Sequence, residues 1–295
     1  MNRRILVIII IGITILVWLL ILNQTKTIKV EKDTEEKITH QKPEIMEKKE
    51  IETKRIKIVT LYDNYQVDPK LETGWGFSCL IRRSPKGEGE PNILFDTGAD
   101  SPTLLSNMEK LEIKPEEIDI MVLSHIHGDH VDGLEGFLEK NGKVKVYIPA
   151  SFPNSIREKI KSFGGAYIDT STSAEISNNV HSTEELGTWI KEQSLIVKTE
   201  KGIVVITGCA HPGIVNIIKK AKEIFPKEGV YLVLGGFHLS GTSDIELKNI
   251  INDFRKLDVQ KVAPCHCSGD RCRELFKEEY KENFIENGVG KIIEI

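Results

Sequence analysis

Short apolar runs alternate with amphipathic stretches along residues 56–295, and this pattern predicts an α/β fold. Runs rich in Ile, Val and Leu predict strands at 56–62, 77–82, 92–95, 118–123, 144–148, 195–199, 203–207, 230–234 and 259–263. Helical spacing predicts helices at 102–111, 131–140, 154–163, 214–224, 244–256 and 271–280. The strand pairs around 62–77 and 199–203 have no helix between them, so we expect two mixed sheets flanked by helices.

The N-terminal segment predicts a membrane anchor. Residues 5–22 contain no charged side chain, and a helix of this length spans about 27 Å, close to the thickness of a hydrocarbon core. A cleaved signal peptide is the alternative, because Arg3 and Arg4 resemble the basic start of one. The apolar run is longer than is usual for a signal peptide and no small-residue cleavage site follows it. We therefore predict that residues 1–22 are an uncleaved single-pass anchor in the lipid bilayer.

The next segment, residues 23–55, is rich in Lys and Glu and predicts a solvated tether to the folded domain at 56–295. Two opposing signals bear on which side of the membrane the folded domain occupies. Arg3 and Arg4 favour a cytoplasmic N-terminus, whereas lysines at 26, 29, 32 and 37 crowd the other flank. Because long domains are translocated largely regardless of charge, we expect the folded domain outside the cytoplasm.

Charge and cysteine content limit the partners. The first 55 residues have a net charge of +3. Because the whole chain has a net charge of −4, the remaining residues carry −7. An acidic folded domain disfavours general binding to a phosphate backbone, so no nucleic-acid partner is expected. Five cysteines are an odd number and do not indicate a disulfide framework. The redox compartment and the oligomeric state remain open.

Six of the eight histidines follow apolar runs, and three of them lie in one short cluster. His125 and His127 are two residues apart, so on an extended segment they point to the same side. Gly128 lets the backbone turn, which brings Asp129 and His130 to the entry of the next helix. Three imidazoles and a carboxylate are suitable ligands for zinc or a similar divalent ion.

The other histidines of this set are His211, His238 and His266, and each follows a predicted strand. Pro212 favours a helix start, so His211 lies at a strand-to-helix junction whose free amide groups can receive an anion. Repeated placement just beyond a strand indicates metal ligands at His211, His266 and His238.

Three further side chains lie close to these positions in the sequence. Asp96 ends the predicted strand 92–95, where it can be an ordinary turn residue or can orient a metal-bound histidine; we favour the second role. Cys265 and Cys267 flank His266. On an extended segment both would face away from it, so we expect small buried residues rather than ligands.

These residues resemble the metallo-β-lactamase superfamily. The resemblance rests on segments 96–98, 125–130 and 208–211 and on His266, and it extends in order over 56–295. It implies an αβ/βα sandwich with a metal site at the edge between the two sheets. By motif position, one metal would be bound by His125, His127 and His211. A second would be bound by Asp129, His130 and His266.

One position departs from the usual superfamily pattern. A bridging Asp usually follows the strand that here ends at 234–236, but this sequence has Phe237 and His238, with no acid before Asp244. Segments 62–64, 75–78, 208–211, 235–239 and 266–269 resemble a branch named for 7,8-dihydropterin-6-methyl-4-(β-D-ribofuranosyl)aminobenzene-5′-phosphate synthase. Gly-Gly-Phe-His is normal in that branch, which implies that His238 replaces the missing ligand or faces the substrate.

The resemblance implies one or two divalent metal ions, with zinc expected and manganese or iron as alternatives. Our first hypothesis is a membrane-anchored hydrolase in which a metal-bound hydroxide attacks a small phosphorylated substrate, with Asp129 and His238 as catalytic residues. The alternatives are the transferase that couples a pterin to an aminobenzene ribose phosphate with loss of pyrophosphate, and a non-catalytic membrane-tethered metal-binding module. A domain outside the cytoplasm argues against the transferase, because biosynthetic substrates are intracellular.

Overall fold

The computed structural model describes residues 55–84 and 90–295, and within these residues the chain forms thirteen strands and seven α-helices. The strands are β1 (Arg55–Tyr62), β2 (Ser78–Ser84), β3 (Ile93–Phe95), β4 (Ile120–Val122), β5 (Lys145–Pro149), β6 (Ala166–Thr170), β7 (Ala174–Ser177), β8 (Val180–Ser182), β9 (Leu195–Thr199), β10 (Gly202–Thr207), β11 (Val230–Gly236), β12 (Val259–Cys265) and β13 (Ile292–Glu294). The helices are α1 (Ser101–Lys110), α2 (Gly128–Val131), α3 (Leu134–Lys140), α4 (Asn154–Ser162), α5 (Ile214–Ile224), α6 (Asp244–Lys256) and α7 (Asp270–Tyr280).

Two mixed sheets form the centre of the domain. The first has the strand order β13-β1-β2-β3-β4-β5-β6, antiparallel from β13 to β3 and parallel from β3 to β6. The second has the order β12-β11-β10-β9-β8-β7, parallel from β12 to β10 and antiparallel from β10 to β7. The strand pairs predicted to lack a helix between them are the antiparallel pairs β1–β2 and β9–β10, so the expectation of mixed sheets is confirmed.

Three apolar clusters hold the layers together. The first lies between the sheets and includes Phe95 from one sheet and Leu234 from the other. The second packs α1, α3 and α4 onto the outer face of the first sheet, around Phe137. The third packs α5, α6 and α7 onto the second sheet, around Phe254. The central strands of each sheet are therefore buried on both faces, which explains the nearly continuous apolar runs of β4, β10 and β11.

Two local features differ from the sequence prediction. The helix predicted at 131–140 is divided between α2 and α3, where the Gly133 N–H donates to the Gly98 carbonyl at 3.3 Å instead of to a helix carbonyl. Strands β6, β7, β8 and β13 were not predicted. They are three to five residues long and lie at or near sheet edges, where partial exposure weakens the apolar pattern.

Among residues 55–84 and 90–295, no helix is long and apolar enough to cross a membrane. The predicted anchor at 5–22 and most of the predicted tether lie outside the described residues.

Candidate metal centre

Strand ends from both sheets meet at one edge of the sandwich, and they carry the predicted site residues. Asp96 follows β3, and His125 lies three residues beyond β4 in the same sheet. From the second sheet, His211 follows β10, His238 follows β11 and His266 follows β12. All five positions are at carboxyl ends of strands, which is where open α/β sheets place their ligands.

The first predicted ligand set is brought together. His125 Nε2 lies 3.2 Å from His127 Nδ1. The ring of His211 lies 4.7 Å from the ring of His125 and 4.8 Å from that of His127, measured between centroids. One nitrogen of each imidazole lies within 4.8 Å of the others, so a single ion can contact all three.

The second predicted ligand set also converges, and it includes a residue that was not predicted. His266 Nε2 lies 3.3 Å from Asp129 Oδ2 and 3.2 Å from His130 Nε2. The Sγ atom of Cys209 lies 3.2 Å from the same His130 nitrogen. These four side chains place one donor atom each within 4.8 Å of the others.

Asp96 lies beside the second ligand set and is not a member of the candidate donor groups. Its buried carboxylate accepts hydrogen bonds from the backbone N–H of Ser124 at 2.6 Å and from the Ser124 hydroxyl at 2.7 Å. The same carboxylate lies 2.7 Å from His130 Nδ1. Because Nδ1 is held by Asp96, His130 presents Nε2 to the second ligand set.

The protonation states suit a divalent cation. Burial and the neighbouring imidazoles hold the pKa of His125 well below its usual range. Burial followed by the charge of His238 lowers the pKa of His211 to about 4. Burial opposes ionisation of Asp129, but the hydrogen bond from His266 lowers the pKa of that carboxyl to about 2. His211 Nε2 is buried without a hydrogen-bond partner in the described part of the chain. The neutral imidazoles of His125 and His211, the ionised carboxylate of Asp129 and this unused buried nitrogen all fit a metal ion.

His238 lies at the outer rim of the centre. Its side chain is exposed, and its ring lies 4.3 Å from that of His211. Its imidazole lies close enough to the thiols of Cys209 and Cys267 for the three to share an ion. His238 is not a member of either predicted ligand set. Cys265 and Cys267 are buried, as expected. Residues His266–Ser268 form a 3-10 turn rather than the expected extended segment, which brings Cys267 to Cys209.

Comparisons with known proteins agree with this geometry. The metallo-beta-lactamase superfamily profile matches residues 76–218. The chain is 30% identical to the 7,8-dihydropterin-6-methyl-4-(beta-D-ribofuranosyl)-aminobenzene-5'-phosphate synthase of Methanocaldococcus jannaschii, over 81% of this chain and 96% of that protein. An uncharacterized protein of the same organism is 35% identical over 75% of this chain and 93% of its own length. The crystal structure of Tm1679, a metal-dependent hydrolase of the beta-lactamase superfamily, aligns with a TM-score of 0.67 and 28% identity, covering 81% of this chain and 99% of that one.

The chain belongs to the metallo-β-lactamase superfamily. The αβ/βα sandwich that the sequence predicted is therefore confirmed, and so is its place among enzymes of this fold that act as hydrolases or transferases. The superfamily and the candidate donor groups together indicate the use of a divalent metal.

Glu192 is a site residue of this metallo-β-lactamase-fold chain that the sequence did not reveal. Its fully buried carboxylate accepts hydrogen bonds from the backbone N–H groups of Cys209 at 3.0 Å, Ala210 at 2.9 Å and His211 at 2.8 Å. Amide groups at this junction were expected to receive an anion, and the anion is a carboxylate of the chain itself. Glu192 lies 17 to 19 residues before these amides, so no local motif connects them.

Two further residues, neither of them predicted as a site residue, hold His266. Asn64 Oδ1 lies 3.2 Å from His266 Nδ1, which leaves Nε2 facing the metal centre. Asp63 Oδ1 accepts hydrogen bonds from the backbone N–H groups of Tyr65 at 2.7 Å and His266 at 3.4 Å. Desolvation by burial raises the pKa of Asp63 to about 6. The segment 62–64 had been noted only as part of the family resemblance.

An open cleft of about 460 Å³ adjoins His211 and is lined mainly by residues 186–190, with Pro212 and Asn216. Trp189 in this segment is 92% exposed. Trp75 is 57% exposed, and its ring lies 5.0 Å from that of His266. A cleft of this size, with aromatic side chains near the metal centre, suits a small-molecule substrate.

Proposed function

We propose that the chain is a metal-dependent hydrolase that acts on a small phosphorylated compound. The observation that carries this proposal is the composition of the candidate donor groups at the two predicted ligand sets, in which five imidazoles and the thiol of Cys209 are accompanied by a single carboxylate, that of Asp129. Two divalent cations held by so few negative charges leave the centre with excess positive charge. Such a centre favours an anionic substrate, and a divalent metal ion can polarise a phosphoryl oxygen.

The divalent ions of the centre are proposed to be zinc, with His125, His127 and His211 as one ligand set and Asp129, His130 and His266 in the other. When bound, they would supply Lewis-acid activation of a phosphoryl oxygen and a water molecule of lowered pKa. Imidazole-rich donor sets support zinc, and manganese or iron are the alternatives.

Asp129 and His238 have different proposed tasks. The low pKa of Asp129 keeps its carboxylate ionised at neutral pH, which suits a ligand but makes it a weak proton acceptor. His238 is exposed at the rim, and its ring lies 4.3 Å from that of His211. It is therefore the better candidate for exchanging a proton with the nucleophile or with the leaving group.

Hydrolysis is tested on the full-length chain purified in a mild detergent, with p-nitrophenyl phosphate and bis(p-nitrophenyl) phosphate as probes. We expect His127→Ala to lower kcat/KM by about 100-fold or more, because it removes a ligand. The matched control is His181→Ala on β8, whose ring packs against Phe225 and lies in neither ligand set. Equal activity of the two variants, or no turnover of either probe by the metal-loaded wild type, would contradict the proposal.

Transfer is the second candidate, and the identity of 30% across 96% of the M. jannaschii synthase favours it. The two reactions differ in their dependence on an amine. With a dihydropterin pyrophosphate ester as substrate, a transferase releases pyrophosphate only when the ribofuranosylaminobenzene phosphate is added, and it forms a joined product. A hydrolase releases pyrophosphate without the amine.

Residues 5–22 are proposed to anchor the chain in a lipid bilayer, with the catalytic domain outside the cytoplasm. The proposal rests on the uncharged length of this segment. A topology reporter fused after residue 295 tests it, because activity confined to the cytoplasmic form of the reporter would overturn the assignment and strengthen the case for the transferase.

A further inference from the structure

Exposed apolar side chains gather around the metal centre. Among residues 55–84 and 90–295, six large apolar side chains are exposed, and three of them lie beside a histidine of the centre or beside its cleft. These three are Trp75, Ile126 and Trp189, which we call the apolar rim. Large apolar groups left exposed together on a folded domain are typical of a surface that binds a membrane or another protein.

The members of the apolar rim belong to three different segments but border the same centre. The ring of Trp75 lies 5.0 Å from that of His266. Ile126 immediately follows His125 and is exposed, whereas His125 is buried. Trp189 lines the cleft that adjoins the first ligand set. The three segments therefore converge on the edge of the sandwich where the strand ends meet.

The exposure of the two tryptophans indicates a partner larger than a small molecule. Trp189 is 92% exposed, so most of its apolar surface is left in water, and a compound held in the cleft would cover little of it. Trp75 is 57% exposed. Indole rings favour the headgroup region of a bilayer, because the ring is buried there while its N–H group keeps a hydrogen-bond partner. A lipid surface would cover both rings.

The predicted anchor makes a bilayer the partner that is always near. Residues 5–22 are proposed to lie in lipid, and they contain Trp18, the third of the three tryptophans of the chain. The folded domain is acidic, so anionic headgroups do not attract it. Docking must therefore rely on insertion of apolar side chains, and a bilayer of zwitterionic lipid is sufficient.

The predicted tether is long enough to permit this docking. β1 begins at Arg55, and Asn64, just beyond its other end, contacts His266. A strand of eight residues is about 26 Å long, so the tether enters the domain at about that distance from the centre. A flexible chain of about 33 residues, the length of segment 23–55, has an end-to-end distance of roughly 30 Å. Because the two lengths match, even a weak contact of the rim with the bilayer has a high effective concentration.

We propose that the apolar rim inserts into the headgroup region of a phospholipid bilayer and holds the metal centre against the membrane. For its choice of partner this inference rests on the proposed anchor, and it goes beyond the proposed hydrolase activity. It requires neither bound metal nor turnover, so it is tested separately from the chemistry.

Quenching of tryptophan emission by brominated lipid tests the proposal. The full-length chain is reconstituted into phosphatidylcholine vesicles whose acyl chains are either plain or brominated near the headgroup. In Trp18→Phe only the two rim tryptophans remain, and we expect their emission to fall in the brominated vesicles. In the double variant Trp75→Phe/Trp189→Phe only Trp18 remains, and quenching of its emission reports insertion of the anchor.

The matched control carries its single tryptophan at the opposite end of β10. Lys201 is exposed in the turn before this strand, whereas His211 follows its other end, and six residues of strand span about 20 Å. Lys201→Trp, in a chain whose three natural tryptophans are replaced by Phe, should emit equally in both kinds of vesicle. The substituted positions within the described part of the chain are exposed, so the variants keep the apolar clusters of the core.

Every outcome decides the proposal. Equal emission of the rim tryptophans in the two kinds of vesicle would overturn it, and quenching of Trp18 alone would leave the anchor standing without the docking. Quenching of the rim without quenching of Trp18 would support the docking and contradict the anchor. Quenching of Lys201→Trp to the same extent as the rim would also overturn the proposal, because the domain would then touch lipid without using this face. None of these readings depends on turnover, so failure of the hydrolase proposal is recognised separately.

Discussion

Glu192 shows how much of the metal centre depends on a residue that binds no metal in our account. One carboxylate accepts three consecutive backbone N–H groups, from Cys209 to His211, in a fully buried position. Desolvation raises the pKa of Glu192, and the three amide donors oppose that rise. The cost of burying this charge is thus partly offset by fixing the loop that carries His211.

Glu192→Gln should destabilise the protein by about 1–3 kcal/mol, because the new amide group places a donor against the N–H of His211 or leaves it unpaired. We expect weaker metal binding at His211 as well. Urea unfolding and zinc titration measure both effects. Glu228→Gln, which changes a surface ion pair with Lys198, is the matched control. Equal stability of the two variants would show that the Glu192 charge is dispensable.

Asp63 predicts a pH dependence of stability. Desolvation raises its pKa from 3.8 to about 6, so the folded state keeps a proton that the unfolded chain has already lost between these values. Its contribution to stability is therefore greatest below pH 4 and falls by about 3 kcal/mol as the pH rises past 6.

Asp63→Asn should remove this fall. Unfolding free energies of the metal-free protein between pH 4 and 7 measure this fall, with Asp253→Asn, at a partly exposed position, as the control. A wild-type curve that rises through this range relative to Asp63→Asn would show that the sign of the shift is wrong.

The sequence predicted the histidines of the centre because their signal is local. His125 and His127 are two residues apart, and His211 and His266 each follow an apolar strand. Glu192 and Asn64 could not be predicted in this way, since each acts on a residue that is distant in the sequence. Their roles follow from tertiary contacts that no local spacing encodes.

At the scale of elements, the segment before β2 supports the turn that carries Asp129. The N–H group of Phe77 donates to the Asp129 carbonyl at 3.3 Å. Gly76 lies so close that an added Cβ would be 2.4 Å from that carbonyl oxygen. The position of α2, and of Asp129 within it, therefore depends on a glycine from a different part of the chain.

Gly76→Ala should push the Asp129 backbone outward, lower stability by about 1–3 kcal/mol and weaken the second metal ion selectively. Gly229→Ala is the control, because its added Cβ would have its nearest neighbour at 3.7 Å. Urea unfolding and cobalt titration check the prediction. If Gly76→Ala binds both ions as the wild type does, the packing of this segment does not position Asp129.

The burial of each strand explains which of these elements could be predicted from the sequence. The central strands β4, β10 and β11 are buried along their length and follow clear apolar runs. Strand β6 is largely exposed or partly exposed, and its sequence has no strict alternation. The predicted helix is divided at Gly133, whose N–H donates to the carbonyl of Gly98, a residue far away in the sequence.

At the scale of the whole domain, the αβ/βα sandwich brings strand ends of two separate sheets to one edge. Asp96 and His125 belong to the first sheet, whereas His211 and His266 belong to the second. Neither sheet holds a complete ligand set alone. The metal centre therefore depends on the packing of the two sheets, and we expect bound metal to stabilise their association.

The central claim is that two ligand sets each hold one divalent ion. Metal content per chain, measured on full-length protein purified without added metal or chelator, tests it most directly. We predict about two ions in the wild type and in His181→Ala, and about one in each of His127→Ala and His266→Ala. A single ion in the wild type would contradict the two-set account. No ion, even after reloading with zinc, manganese or iron, would contradict the metal-dependent function itself.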